Sequence, residues 1–414
     1  MSQRKNCIVA QSGGPTAAIN ASLAGVIDGT THSKAFDIVY GSKNGILGIM
    51  NHKLLNLTEM NRNNPDYIRL LRTTPAMYLG SCRYRLPTPS EDDTPYRTIF
   101  EAFEEYNIRA FFYIGGNDSM DTVMKLSSYA AAIGSDIRII GIPKTIDNDL
   151  CITDHAPGYG SACKFVASSI LEISHDTFIY AVKSVTIVEI MGRDAGWLTA
   201  AAALARNEYH SAPHLIYLPE VPFSPESFIE DVRKLLNKRN NVIVAVSEGI
   251  RDCNGNYICA GVAKEDTFGH SQLSGAGKAL EYLVQEQIGV KVRSIELNVL
   301  QRCASHIASL TDLEEAFALG QKAVEAAETG RTSCMLTLHR KNNDTDNHYS
   351  VVIQYTPIEE VANRAKGVPR SWINDSGNDI TQAFIDYMRP LIQGEPAIEY
   401  KNGLPVYLPV DHLI

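Results

Sequence analysis

The sequence predicts an α/β fold built on mainly parallel sheet, and three observations carry that prediction. Short β-branched or aromatic runs alternate with longer amphipathic stretches along the chain. Most of the short runs hold several consecutive apolar residues rather than an apolar residue at every second position, the pattern of strands covered on both faces. Two of them lead directly into paired glycines and a helix-like stretch, the strand–turn–helix unit from which parallel sheets are assembled.

The candidate strands, in order, are Cys7–Gln11, Ala110–Ile114, Ile137–Ile142, Ser184–Ile190, His214–Leu218, Val242–Ser247, Lys291–Leu300 and Val351–Tyr355. A helix-like Ala17–Val26 follows the first. Asp121–Ile133 sets Val123, Met124, Leu126 and Ala130 at helical spacing, and Gly277–Ile288 does the same with Leu280, Leu283 and Val284. At 414 residues the chain exceeds one core of usual size, so two or three domains are expected. No internal repeat or low-complexity linker marks the borders. The segment from about 351 to 414 carries polar, Gly- and Asn-rich stretches, as in Asn374-Asp375-Ser376-Gly377-Asn378-Asp379, and reads as an appendage.

Bulk properties exclude several classes of function. Apolar residues make up 44% and charged residues 21%, an ordinary globular balance. The longest apolar runs fall far short of a membrane span. The N-terminal residues lack the apolar core of a signal peptide, so a cytoplasmic protein is expected. None of the eight cysteines forms a Cys-x-x-Cys pair, and no His-Glu-x-x-His occurs among the eleven histidines. The formal net charge is −9 and no dense Lys/Arg run is present, so neither a nucleic acid nor a membrane is an expected partner. An acidic chain that binds anions must gather its basic residues locally.

Ligands of open α/β sheets collect at the carboxyl ends of strands, so the residues after each strand are the candidates. Ser12-Gly13-Gly14-Pro15-Thr16 follows the first strand: either a tight strand–helix turn or a phosphate cradle. Gly115-Gly116-Asn117-Asp118-Ser119 is a second such turn, with a carboxylate inside it. Asp118 could serve as a helix cap, hold a metal, or exclude a ligand by charge. Lys144-Thr145-Ile146-Asp147-Asn148-Asp149 follows the third strand. In an extended stretch Asp147 and Asp149 point the same way, one suited to accept a proton and the other to orient a divalent ion. Met191-Gly192-Arg193 places a guanidinium where a phosphoryl group could sit. Ser247-Glu248-Gly249 offers a carboxylate to hydroxyls, Gln301-Arg302 follows another run, and Gly80-Ser81-Cys82-Arg83 adds a Gly-Ser-x-Arg loop. Together these describe a site for two phosphorylated ligands, an acid/base group and a divalent ion, the inventory of a phosphoryl transferase. The Walker A and protein-kinase signatures are absent.

In this order, over about residues 5 to 330, the set resembles the phosphofructokinases. The resemblance implies two Rossmann-like three-layer domains with the active site in the cleft between them. Residues 1–158 with about 303–350 would bind the donor, and 159–302 would bind fructose 6-phosphate. It implies Asp147 as the base for the C1 hydroxyl, Thr145 at the substrate or the transferring group, and Asp149 near Mg2+. Met191, Gly192 and Arg193 would line the sugar-phosphate site, Glu248 would hold hydroxyls, and Arg302 and Arg293 would grip the 6-phosphate. Arg293 would act across a subunit interface, so a homodimer or homotetramer is expected. Gly13, Gly14, Arg83, Gly116, Asp118, Ser119 and Lys144 would surround the donor.

ATP-using members usually have Gly-Gly-Asp-Gly-Ser and Pro-Gly-Thr-Ile-Asp-Asn-Asp. Here Asp118 replaces the later glycine of the first motif and Lys144 the glycine of the second, as in the pyrophosphate-dependent branch. A carboxylate at 118 would repel an ATP α-phosphate, and a lysine at 144 would hold a donor that lacks a nucleoside. An ATP-dependent enzyme, a non-catalytic homologue and a sedoheptulose 7-phosphate acceptor are the alternatives. Asn117 stands where the family usually has an aspartate near magnesium, so this neutral amide and Asp149 are the candidate metal ligands, and Cys303-Ala304 replaces a common Gly-Gly. In the tail, Lys366 and Arg370 would either approach the sugar phosphate or be solvated surface charges.

Overall fold

Strand β1 (Lys5–Gln11) shows why its central run is apolar at consecutive positions: Cys7 and Val9 enter one buried cluster, Ile8 and Ala10 another. The computed structural model describes residues 5–259, 264–265, 271–272, 275–341 and 349–413. Helices lie on both faces of β1 and its neighbours β2 (Phe36–Ser42), β3 (Leu54–Asn56), β4 (Ile108–Gly115) and β5 (Arg138–Pro143). Helix α1 (Ile19–His32) contributes Ile19 and Leu23 to one layer, and α2 (Asn117–Ala132) contributes Met120 and Val123 to the other.

A second three-layer unit repeats the arrangement after α3 (Tyr159–Phe178). Its strands are β6 (Ser184–Ile190), β7 (Leu215–Tyr217), β8 (Asn241–Ser247) and β9 (Lys291–Glu296), with α4 (Ala276–Gln287) over one face. Val242, Val244 and Val246 of β8 pack on the α4 side, and Ile243 and Ala245 pack towards α3. The chain then returns through α5 (Leu310–Glu328) to add β10 (Cys334–Arg340) and β11 (Val351–Pro357) to the first sheet.

The first sheet runs β11-β10-β5-β4-β1-β2-β3, antiparallel only where β3 and β11 close its edges. The second runs β9-β6-β8-β7 and is wholly parallel. Register decides what meets at the strand ends. Gln11 pairs with Ile114 and Gly115 with Pro143, so three of the predicted turns emerge side by side. In the second sheet Ile190 pairs with Ser247 and Glu189 with Glu296. In each sheet the order reverses at one strand, β1 or β6, the place where open α/β sheets bind ligands.

Three expectations need correction. The run Lys291–Leu300 is not one strand: β9 ends at Glu296, Asn298 takes a positive φ of 47°, and Asn298–Arg302 is a 3-10 turn. The segment after 350 does not stand apart, since β11 completes the first sheet and Ile358 and Val361 join its core. Phe384 and Met388 of α6 (Gln382–Met388) enter the core of the second unit. Residues 145–150 are not extended, because Asn148 adopts φ 51°. Its side chain stabilises that turn, with Oδ1 accepting from the Ala156 N–H at 3.1 Å and Nδ2 donating to the Tyr387 hydroxyl at 3.1 Å.

Candidate active site

The Gly13–Gly14 turn, open to solvent, lies against two cations. Lys144 carries its amine into it: Nζ donates to the Gly14 carbonyl at 2.6 Å, while the Lys144 backbone N–H bonds Gly115 at 3.0 Å. Gly13 has φ 78°, and a Cβ there would lie 3.2 Å from that amine, so both conformation and space select glycine. A Cβ on Gly14 would lie 3.4 Å from a guanidinium nitrogen of Arg302. Arg302, expected at the sugar 6-phosphate, thus has its guanidinium against the Gly13–Gly14 turn, and its Nε is buried without a partner. Ser81 ties the Gly-Ser-x-Arg loop to the same turn by donating to the Gly13 carbonyl at 2.9 Å. Arg83 beside it is exposed.

Lys144 is 2% exposed. Burial pulls its amine down to about 7; Asp147 and Asp149 oppose that, and Arg302 adds to it. Across the turn, α2 begins at Gly116 with no side chain capping it, which leaves its positive end available to an anion. Asp118 is exposed in its first turn. Ser119 is buried with its hydroxyl filling the space a Gly115 Cβ would occupy, so it packs the turn rather than facing outward.

Asp147 and Asp149 keep a partial opening to the cleft. Burial raises Asp147, while Arg193 and Lys144 pull the other way. Burial, reinforced by Asp147, pushes Asp149 up to about 7. The Thr145 hydroxyl accepts from the Asp147 N–H at 3.0 Å, which shapes the loop between them. The Arg193 guanidinium is therefore close enough to act on Asp147, and one of its terminal nitrogens is buried without a partner.

The Met191-Gly192-Arg193 loop is pinned from three sides. Gln301 Oε1 accepts from the Met191 N–H at 3.2 Å, Glu248 Oε1 accepts from Gly192 at 3.3 Å, and the Ser247 hydroxyl bonds the Gly192 carbonyl. Gly192 needs its φ of 139°, and a Cβ on Gly249 would collide with the Arg193 backbone. A pocket at these strand ends is lined by Glu189, Ile190, Met191, Glu248, Glu296, Asn298 and Gln301. Burial drives Glu248 up to about 7, with the Gly192 N–H opposing and Asp147 adding to the rise.

Several predicted residues lie elsewhere. Arg293 pairs with Asp176 at 3.2 Å on the edge strand β9 and does not reach this cleft within the chain. Asn117 is committed to the tail: Nδ2 donates to the Arg364 carbonyl at 2.8 Å and Oδ1 accepts from the Asn363 N–H at 2.9 Å. We therefore expect Asn117→Ala to lower the melting temperature by a few degrees, since two net hydrogen bonds are worth about 2 kcal/mol. The magnesium concentration for half-maximal activity should not move; a large shift in a magnesium titration would restore Asn117 as a ligand.

Lys366 is neither a surface charge nor a phosphate contact: Nζ donates to the carbonyls of Thr153 and Asp154 at 2.6 and 2.7 Å. Arg370 closes a local turn through the carbonyls of Ile373 and Asn374, both at 2.9 Å. Glu189, Glu220 and Glu296 were not singled out from the sequence. The signal that could have found them is their position at or just beyond a strand end, which is how Glu248 was found.

A phosphofructokinase family model matches residues 6–327, and the strand-end motifs described above lie inside that span. The chain belongs to the phosphofructokinase family. Over 403 residues this phosphofructokinase is 40% identical to the pyrophosphate–fructose 6-phosphate 1-phosphotransferase of Halomonas elongata, covering 97% of this chain and 94% of that one. It is 39% identical over 407 residues to the protein of the same name from Methylococcus capsulatus, covering 98% and 95%. Its fold is similar to the crystal structure of a pyrophosphate-dependent phosphofructokinase from Nitrosospira multiformis, with a TM-score of 0.86, 37% identity, and coverage of 98% and 96%. Among its described residues no helix is long and apolar enough to cross a membrane.

Proposed function

We propose that this phosphofructokinase transfers a phosphoryl group from pyrophosphate to the C1 hydroxyl of fructose 6-phosphate, giving fructose 1,6-bisphosphate and phosphate reversibly. The observation that carries the donor assignment is the Lys144 amine lodged in the Gly13–Gly14 turn. A buried point cation suits a small polyanion with no nucleoside to anchor it. Full-length similarity to proteins named for this reaction points the same way.

In this reading Asp147 takes the C1 hydroxyl proton as that oxygen forms its bond to the donor's terminal phosphorus. The bridging P–O bond breaks, and phosphate leaves towards Lys144, Arg302 and the Gly13–Gly14 turn. Arg193, whose charge acts on Asp147 and one of whose terminal nitrogens is buried without a partner, would stabilise charge on the transferring group, where preorganised donors supply much of the rate. Glu248 and the Met191–Gly192 backbone orient the sugar.

Magnesium fits the acids present. Among the described residues no three Asp, Glu, His or Cys side chains gather to hold a metal on their own, so Mg2+ would rest on Asp149, whose titration Asp147 and Asp118 both raise, and on phosphate oxygens of the donor. Mg2+ prefers one or two carboxylates with phosphate oxygens completing its shell, and it neutralises phosphate charge when bound. Arg293 would act in a neighbouring subunit of a homodimer or homotetramer.

The test is fructose 1,6-bisphosphate formation with magnesium, fructose 6-phosphate and either pyrophosphate or ATP. Turnover with pyrophosphate and at most a trace with ATP is expected. ATP as the sole effective donor would overturn the donor assignment and keep the family. No product with either donor, from folded protein, would favour a binding homologue.

A further inference from the structure

Residues 363–368 connect the acid-bearing loop of one half of the site to the arginine-bearing loop of the other. On the donor side, Arg364 and Asn363 hold Asn117 at the start of α2, and Ala365 forms an antiparallel bridge with Leu150. The Lys366 N–H donates to the Asp149 carbonyl at 2.8 Å. On the sugar side, the Trp197 indole N–H donates to the Lys366 carbonyl at 3.0 Å. A single peptide segment at Lys366 thus joins the backbone beside Asp149 to the loop that follows Arg193.

Glu220 repeats that connection with its side chain. Its Oε1 accepts from the Gly196 N–H and from the Val368 N–H, both at 2.8 Å. Its other oxygen is buried without a partner, and among the described residues no Lys or Arg pairs with it. A buried carboxylate without a counter-charge costs stability that an apolar residue would not. Burial raises its titration, and only the two N–H groups and its own backbone offset that. Such a cost is intelligible if the two N–H groups it gathers have to be kept together.

We propose that residues 363–368 form a clasp that fixes the separation of Asp147 and Asp149 from Arg193, with Glu220 and Lys366 as its positioning residues. The proposal rests on the phosphoryl-transfer assignment above for its kinetic consequence, but not for its structural one. Neither residue touches the reacting atoms. Misplacing groups by about 1 Å can cost roughly 100-fold in rate.

The test uses the full chain and four proteins: wild type, Glu220→Ala, Glu220→Gln and Lys366→Met. Amide hydrogen exchange reads the loops 145–150 and 190–197 separately, and steady-state kinetics reads kcat against KM. In both Glu220→Ala and Lys366→Met, exchange in both loops should accelerate, by about tenfold or more. The kcat should fall roughly 10- to 100-fold with both KM values within about threefold. Glu220→Gln should keep most of the rate, because both bonds land on one oxygen that its amide carbonyl can replace. Loosening confined to residues 190–197 in Glu220→Ala or to the neighbourhood of Thr153 and Asp154 in Lys366→Met, or an unchanged kcat in folded Glu220→Ala, would overturn the clasp. If Glu220→Ala does not fold, Lys366→Met and Glu220→Gln decide by the same readouts. A wild-type protein inactive with pyrophosphate would sink the reaction assignment, while the exchange data would still decide the clasp.

Discussion

Replacing Asp147 with asparagine should reduce kcat by about three orders of magnitude and make the protein more stable. A positioned general base is worth roughly 100- to 10,000-fold, and asparagine keeps the shape and the hydrogen bond to the hydroxyl while losing the ability to take its proton. Both KM values should therefore stay within a few-fold. The stability gain follows from the raised titration of Asp147, whose dominant cause is burial. Its folded value lies above its unfolded one, so the unfolded chain holds the proton less tightly, and stability falls as pH rises through that window. Near pH 7 a neutral asparagine removes the cost, and it also relieves Asp149 and Glu248, both pushed upward in part by Asp147. The expected pair is a higher melting temperature with a much lower kcat, the usual exchange at an active site. A kcat within tenfold of wild type would remove Asp147 as the base.

The motifs of the candidate site are legible because they lie at strand ends. The motif after each apolar run could be read directly, and parallel register then brought Ser12-Gly13, Gly115-Gly116 and Lys144-Thr145 side by side. Strands β2 and β10 were missed because polar residues interrupt them: Asp37 and Gly41 in one, Thr337, His339 and Arg340 in the other. What sequence could not show is long-range pairing. Nothing local in Lys366 distinguishes a surface lysine from one that bonds the carbonyls of Thr153 and Asp154. Nothing in Asn117 announces the tail more than two hundred residues later that occupies both ends of its amide. The apparent appendage was misread for the same reason. Its apolar residues show no sustained strand or helix period along the chain, yet Ile358, Phe384 and Met388 enter two different cores. Arg302 shows the opposite limit: its motif is legible, but only the fold brings its guanidinium beside Gly14.

Substituting Lys144 tests the donor assignment most directly. In Lys144→Met the KM for pyrophosphate should rise by roughly 10- to 100-fold, the worth of a hydrogen bond made by a charged group, with the KM for fructose 6-phosphate little changed. The wild-type pH profile has a definite sign. The Lys144 amine titrates at about 7 in the free protein, so above that value it must gain a proton to meet the donor. The KM for pyrophosphate should climb as pH rises from 6.5 to 8.5, by up to about tenfold per unit, and Lys144→Met should lose that component. Stability carries the same signature. The unfolded chain binds more protons than the folded one between about 7 and the ordinary lysine value, so stability increases with pH across that window. Lys144→Met should flatten the increase. The paired substitution Asp118→Gly with Lys144→Gly goes further. Removing the exposed carboxylate at the start of α2 takes away the repulsion against an α-phosphate, and removing the buried amine empties the space beside Gly13. Pyrophosphate turnover should drop by at least about 100-fold if Lys144 holds the donor as proposed. ATP turnover should appear in the pair and remain smaller in either single variant, since charge and space obstruct the nucleotide separately. A double variant that still prefers pyrophosphate would show that donor choice is set outside these two positions, and would move attention to Arg302, the other cation against the donor turn.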